Sequence, residues 1–366
     1  MKVVILTCFE SNEERVTFVY DACKKRKYNV KVITTNFSHI KKAKRNNVPA
    51  GYIAVDTKPY NKNLSIKRMK SHAQFSKDAF ALAEQETPDL IWLMAPANSL
   101  IKEARKYKKK YPATKIIIDI IDMWPESLPV NVSRKIFPLY IWKNIRKNNI
   151  NCANAVVTEC EFYQEILKKE YKKNIYTIRW ARDRKADTIK GKFEKGKLSL
   201  CYIGSINNII STQIMNEVIN NADMPIVLHV IGEGENRYNF VNLAQRVCEV
   251  IYHGPIRDEK IKSQIFSQCH AGINIYRNNL YIGLTVKCID YFEHGLPIIN
   301  NIKGDTWNMV NKYNVGINID KNTKLDSKKI IEMRKNNNYI YDFYNDNFTK
   351  EVFIDKCLKV IDEVIK

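Results

Sequence analysis

The chain has 366 residues, 45% of them hydrophobic, and its 60 Lys and Arg exceed its 39 Asp and Glu by a formal net charge of +21. That length is ample for two or three domains with buried cores, and the apolar content is ordinary for a globular chain. No apolar run approaches the ~18 residues that a membrane span needs, and Met1–Cys8 lacks the layout of a secretion signal.

In chain order, Lys2–Thr7, Tyr28–Thr34, Asp89–Met94 and Lys115–Ile121 read as short apolar strands, with helical periodicity near 13–26, 67–86 and 99–110 between them. Residues 153–158 and 175–179 add two more strands. Alternation of this kind predicts a parallel sheet wound by helices. The polar segment Asp187–Lys197, DTIKGKFEKGK, has no apolar period and is the expected linker. The pattern then restarts with strands at Leu198–Ile203, Ile226–Ile231, Val250–His253, Ala271–Ile275 and Leu296–Asn300. The last twenty residues read as a helix with Phe353, Ile354, Cys357, Leu358, Ile361, Val364 and Ile365 on one face. The expected fold class is α/β, with Rossmann-like domains at 1–188 and 189–348 and a terminal helix at 349–366.

Glycine and charge are both lopsided. Of 12 glycines only Gly51 precedes residue 191, so a tight phosphate loop, which needs glycine's backbone freedom, is expected in the second half. Residues 1–190 hold 38 Lys and Arg against 19 Asp and Glu, a net of +19, whereas 191–366 hold 22 against 20. An excess confined to one half implies an anionic partner there, unless it is only a solvated lysine face. No helix-turn-helix, zinc-finger or RNA-stacking signature appears, so nucleic acid is not expected. An anionic membrane surface or a lipid diphosphate fits better, and Arg134–Lys147, RKIFPLYIWKNIRK, interleaves basic and aromatic residues as an interfacial helix would. A core-facing helix with a basic outer face fits the same segment. Nine cysteines, none in a CxxC pair, read as buried thiols of a reducing cytoplasm, and six scattered histidines offer no metal-ligand spacing.

The chemistry concentrates in residues 281–299, YIGLTVKCIDYFEHGLPII. A loop ending Gly283-Leu284-Thr285 enters a short helix with Asp290 one turn in. A helix start offers unpaired N–H groups to a phosphate, and a carboxylate one turn inside can accept from sugar hydroxyls. A capped helix whose Asp290 only complements the dipole is the alternative. In the first half, Asp122 follows an apolar strand and is placed to accept a proton from an attacking hydroxyl or to orient it, with Glu126 an equal rival. Arg15 opens the first helix, where its guanidinium fork suits a phosphate or carboxylate, though a surface Arg would look the same. Asn98 and Ser99 follow the strand ending at Met94 and suit acceptor hydroxyls, or Ser99 is simply an N-cap.

Lys287-Cys288-Ile289-Asp290-Tyr291 with Gly295-Leu296-Pro297, together with Tyr202–Ser205, Val230–Gly234 and Tyr252–Ile256, resembles the donor domain of family 4 retaining glycosyltransferases of the GT-B fold. Phe9–Arg15 and Asp119–Ser127 resemble the acceptor domains of capsule and exopolysaccharide transferases. The resemblance implies two Rossmann-like domains facing a cleft, with the terminal helix returning to the first. It implies transfer from a UDP- or GDP-sugar to a lipid-linked glycan at the cytoplasmic membrane face; no Asp-x-Asp-type metal site is assignable to the donor, so neither a metal nor a further cofactor is expected. Gly204, Ser205, Thr285, Val286, Lys287, Asp290 and Ile256 would hold the donor, with Lys287 stabilising the departing diphosphate. Family members often carry a Glu where this chain has Ile282, an Arg and a Lys where it has Ser205 and Ile210, and a His near Ile121. Arg277 and Lys287 are the nearest basic candidates to replace that clamp. A nucleotide-sugar 2-epimerase of the same fold, and a basic binding protein with a decayed donor site, remain open.

Overall fold

The computed structural model describes residues 1–128, 139–185, 191–278, 280–320 and 323–366. Two compact units emerge, one formed by Met1–Trp180 with Lys350–Lys366 and the other by Ala181–Thr349. The division falls ahead of the polar segment expected to be the linker; of that segment, residues 186–190 lie outside the described residues.

The first unit holds a seven-stranded sheet in the order Tyr52–Val55, Asn29–Thr35, Lys2–Leu6, Leu90–Ala95, Lys115–Ile120, Ala155–Thr158, Ile175–Thr177, all pairs parallel. Every residue of Leu90–Ala95, LIWLMA, is buried, as a strand must be when helices cover both sheet faces. Those helices are α1 (Glu13–Lys25), α2 (Ile66–Glu86), α3 (Asn98–Lys110), α4 (Leu139–Asn149) and α5 (Glu161–Leu167). Strand order reverses between Lys2–Leu6 and Leu90–Ala95, and ligands of open α/β sheets bind outside the strand C-termini at such a point.

The second unit repeats the scheme with six parallel strands in the order Glu249–Gly254, Ile226–Ile231, Leu198–Ile203, Ala271–Asn274, Ile298–Asn300, Gly316–Asn318. Its helices are α6 (Thr212–Asn220), α7 (Arg237–Ala244), α8 (Glu259–Ser267), α9 (Val286–Glu293), α10 (Asp305–Tyr313), α11 (Ser327–Lys335) and α12 (Asn338–Asn347). Here the order reverses between Leu198–Ile203 and Ala271–Asn274. The last helix, α13 (Lys350–Ile365), belongs to the first unit and packs on α1, with the Phe18 and Phe353 rings 5.4 Å apart. Two edge strands, Tyr52–Val55 and Gly316–Asn318, were not anticipated: four and three residues are too few to show a period of two. Among the described residues no helix is long and apolar enough to cross a membrane.

Candidate functional site

In the second unit the chain-order reversal carries a cavity of about 350 Å³, lined by Gly204, Ser205, Tyr276, Val286, Lys287 and Asp290 among others. Gly204 turns the chain out of its strand at φ +123°, and a Cβ there would lie 3.5 Å from the Lys287 stem. Gly232 approaches it so closely that a Cβ would meet the Gly204 carbonyl oxygen at 2.0 Å. Backbone therefore lines this end of the sheet, as a phosphate-binding turn requires.

Helix α9 is fixed to the sheet by Tyr291. Its hydroxyl accepts from Ile203 N at 3.0 Å and donates to Cys201 O at 3.0 Å, and its ring fills the space a side chain at Gly272 would take. Thr285 donates its hydroxyl to Asn274 Oδ1 at 2.8 Å instead of capping the helix, so the first-turn N–H groups have no side-chain cap. Lys287 Nζ is buried with no hydrogen-bond partner and lies 4.0 Å from the Tyr202 ring centroid and 4.9 Å from that of Tyr276. Burial brings its pKa down to about 7. A buried lysine without a partner, beside an uncapped helix start, is a place for an anion, which would favour its charged form.

Asp290 lines the same cavity, but it is held by Arg182, whose Nε and Nη2 donate to Oδ1 at 3.0 and 2.9 Å. That pair orients the carboxylate and leaves Oδ2 to accept from a hydroxyl. One turn on, Glu293 pairs with Arg184, which also reaches Glu259 at 2.7 Å. Burial still raises the Glu293 carboxyl to about 7. Arg277 does not line the Lys287 cavity; it is exposed and lines an adjoining cavity of about 960 Å³, between α6, α7 and the Asn301–Lys303 loop, that shares Ile210 with it. That cavity is larger, but its cations, Arg277 and Lys303, are exposed to water, so the smaller one carries the stronger demand for an anion. Ile256 is half-buried in the loop after Glu249–Gly254, outside the lining of either cavity.

The first unit corrects several expectations. Arg15 is fully buried, its Nε and Nη2 held at 2.9 Å by the two oxygens of Asp119, so its fork serves the core. Glu126 is likewise engaged: Arg146 donates to both its oxygens at 2.9 Å, which leaves it ill placed as a base. Arg146, counted above in a basic outer face, points inward to Glu126 and Glu170. Asn98 spends both amide hydrogens on the Trp124 and Trp142 carbonyls, and Ser99 bonds Ser76 and the His72 carbonyl. Asn98 and Ser99 nevertheless line a cavity of about 370 Å³ with His72, Trp124 and Trp142.

Asp122 accepts from Trp124 Nε1 at 2.6 Å, and burial raises its pKa. Glu159, just past the strand Ala155–Thr158, is raised to about 8, first by burial and then by the charge of Asp122. Two carboxylates whose environments favour the protonated form mark a candidate acid–base pair. Sequence reasoning missed Glu159, although its place after a strand end is the same signal that singled out Asp122. It also missed Arg182, Arg68 and His72. Among the described residues no cluster of three His, Cys, Asp or Glu is arranged to hold a metal.

No protein-family model and no curated protein sequence matches the chain. Among solved structures, it is similar to sucrose-phosphate synthase (tll1590) from Thermosynechococcus elongatus, at 10% identity and TM-score 0.69 over 99% of this chain and 98% of that one. The lipopolysaccharide outer core galactosyltransferase WaaB, in its apo form, matches at 13% identity and TM-score 0.65 over 99% of each chain. Anabaena Alr3699/HepE, solved in complex with UDP and glucose, matches at 10% identity and TM-score 0.60 over 99% of this chain and 100% of that one. The protein therefore has the GT-B fold of these glycosyltransferases, a mixed α/β architecture built on parallel sheets.

Proposed function

We propose that the protein is a retaining glycosyltransferase that moves a sugar from a UDP- or GDP-sugar held by the second unit to a glycan held by the first. The observation that carries this reading is Lys287: a buried lysine amine without a partner, beside an uncapped helix start and a glycine turn. Such groups stabilise the departing nucleoside diphosphate, which is the main catalytic task in this chemistry. Asp290 Oδ2 accepts from a sugar hydroxyl, and Arg182 keeps the carboxylate aimed. Ser205, Thr285 and Val286 present backbone to the diphosphate, while Ile256 stands at the turn that faces the base. Asp122, assisted by Glu159, takes or orients the proton of the attacking hydroxyl. No divalent metal is needed, because the lysine and the helix dipole offset the diphosphate charge. The acceptor is lipid-linked, the work is capsule or exopolysaccharide assembly, and the protein acts peripherally at the cytoplasmic membrane face; the charge excess of residues 1–190 supports this part.

Titration calorimetry with UDP and with GDP tests the donor site. Asp290→Ala and Lys287→Ala are each expected to weaken the nucleotide that binds by about 1–3 kcal/mol, with no change on adding EDTA. Unchanged affinity in both variants, or affinity abolished by EDTA and restored by Mg²⁺, overturns the assignment.

A further inference from the structure

Arg68 lies in the first turn of α2 and is 1% exposed. Its Nη1 donates to Asn63 O at 2.8 Å, but Nε and Nη2 are buried and make no hydrogen bond of normal geometry, the Tyr60 hydroxyl acting on the group electrostatically. Its guanidinium stands 3.9 Å from the Trp124 ring centroid, with the Tyr60 and Phe9 rings at 5.7 and 5.8 Å. One turn further, His72 is also buried, its Nε2 without a partner, and its ring stacks on Trp124 at 6.2 Å and 21°. A buried guanidinium with two N–H positions unbonded is costly, so a fold that keeps one has a use for it.

Around it stand a further cation, Lys42, and two carboxylates, Glu10 and Asp122, both already engaged by other donors. Lys42 Nζ lies 3.4 Å from His39 Nδ1 and 5.1 Å from the Tyr60 ring centroid. Burial, followed by the charge of Arg68, lowers the pKa of His39 to about 4 and depresses Lys42 and His72 as well. Glu10 is committed to Ser38 and to the His39 and Ile40 N–H groups, and Asp122 to Trp124. Phe9 follows the strand Lys2–Leu6 and Trp124 follows Lys115–Ile120, so the cluster sits outside the strand C-termini near the chain-order reversal. His72 and Trp124 also line the 370 Å³ cavity, which carries the exposed Lys70 and Lys102.

We propose that Arg68 is the receptor for an oxyanion, a phosphate or a carboxylate carried by the acceptor, gripped by the Nε and Nη2 edge of the guanidinium. Arg15 holds both oxygens of Asp119 with the same edge at 2.9 Å, which is the geometry a carboxylate or phosphate takes on a guanidinium. The word acceptor rests on the function proposed above; the anion site does not.

Inorganic phosphate and glucuronate, titrated calorimetrically at constant ionic strength into the full chain, test the site without donor or transfer. At least one anion is expected to bind both the wild type and Lys287→Ala. Arg68→Met should weaken it by at least about ten-fold, with Arg68→Lys in between. Binding of phosphate alone identifies a phosphate-bearing acceptor, and of glucuronate alone a uronate sugar. Without anion, Arg68→Met should melt at or above the wild-type temperature, because it removes a buried charge with two unbonded N–H positions. Failure of both anions to bind the wild type, wild-type affinity in Arg68→Met, or a melting point well below wild type overturns the proposal; the last would mark a structural cation. Nucleotide titration of the same variants keeps the two readings apart: loss of UDP and GDP binding by the wild type sinks the donor assignment and leaves Arg68 to its own test.

Discussion

Under the proposed function, Lys287 gains a proton when the nucleotide binds. In the free protein burial holds its pKa near 7, well below the usual 10.5. A diphosphate beside Nζ favours the charged form and raises that pKa, so nucleotide binding must take up a proton between the two values. The sign follows: affinity is highest below pH 7 and falls as pH rises above it, by up to about ten-fold per unit. Calorimetry above pH 7.5, where phosphate is fully ionised, in buffers of different ionisation heat should report uptake of up to one proton, lost in Lys287→Met. An affinity flat from pH 7.5 to 9 would place Lys287 away from the diphosphate. Lys287 was legible because a loop, a helix start and a basic residue follow one another in sequence. Arg182 was not: it meets Asp290 across 108 residues, and nothing local in either marks the pair. Arg15 shows the same limit in reverse, for a helix-opening arginine reads as surface until Asp119, 104 residues on, is seen to receive it.

At the scale of elements, the site depends on how firmly α9 is seated on its sheet. Tyr291 does this with two hydrogen bonds to Ile203 N and Cys201 O, made in a fully buried position. Tyr291→Phe leaves that N–H without a partner while hardly changing volume, so a loss of about 1–3 kcal/mol in stability is expected. Urea denaturation should show a lower midpoint at unchanged slope. A midpoint equal to wild type would mean that ring packing, not the hydroxyl, seats the helix. Interior strands such as Leu90–Ala95 and Lys115–Ile120 were legible because burial on both faces writes an apolar run into the sequence. Helix α4 was legible as a helix but not in its facing. Trp142 and Arg146 turn inward, Arg146 because Glu126 and Glu170 neutralise it, while Tyr140, Ile141 and Lys147 turn outward.

For the molecule as a whole, charge is the property that fold alone leaves unexplained. The +19 excess of residues 1–190 is matched by exposed apolar side chains in the same half: Leu64, Ile66, Tyr140 and Ile141 are 45%, 54%, 54% and 36% exposed. Ile66 and Ile141 line one cavity, and Lys67, Lys70 and Lys147 are exposed on the same two helices. Apolar residues ringed by lysines suit an anionic lipid surface, and we propose this face of α2 and α4 as the membrane contact. Arg134 and Lys135, expected to share it, lie outside the described residues, and Arg146 is withdrawn into its ion pairs. Each lysine near such a surface contributes about 1 kcal/mol, screened beyond a Debye length of ~8 Å at physiological salt. Sedimentation with phosphatidylglycerol vesicles should therefore fall steeply with salt, while phosphatidylcholine vesicles bind weakly. Lys67→Gln, Lys70→Gln and Lys147→Gln together should remove about 3 kcal/mol of that binding and leave nucleotide affinity intact, since none of them lies in the second unit. Equal sedimentation with both lipids, or with neither, rules out the electrostatic contact, and the charge excess would then have to answer to the anion site at Arg68 or to a different anionic partner.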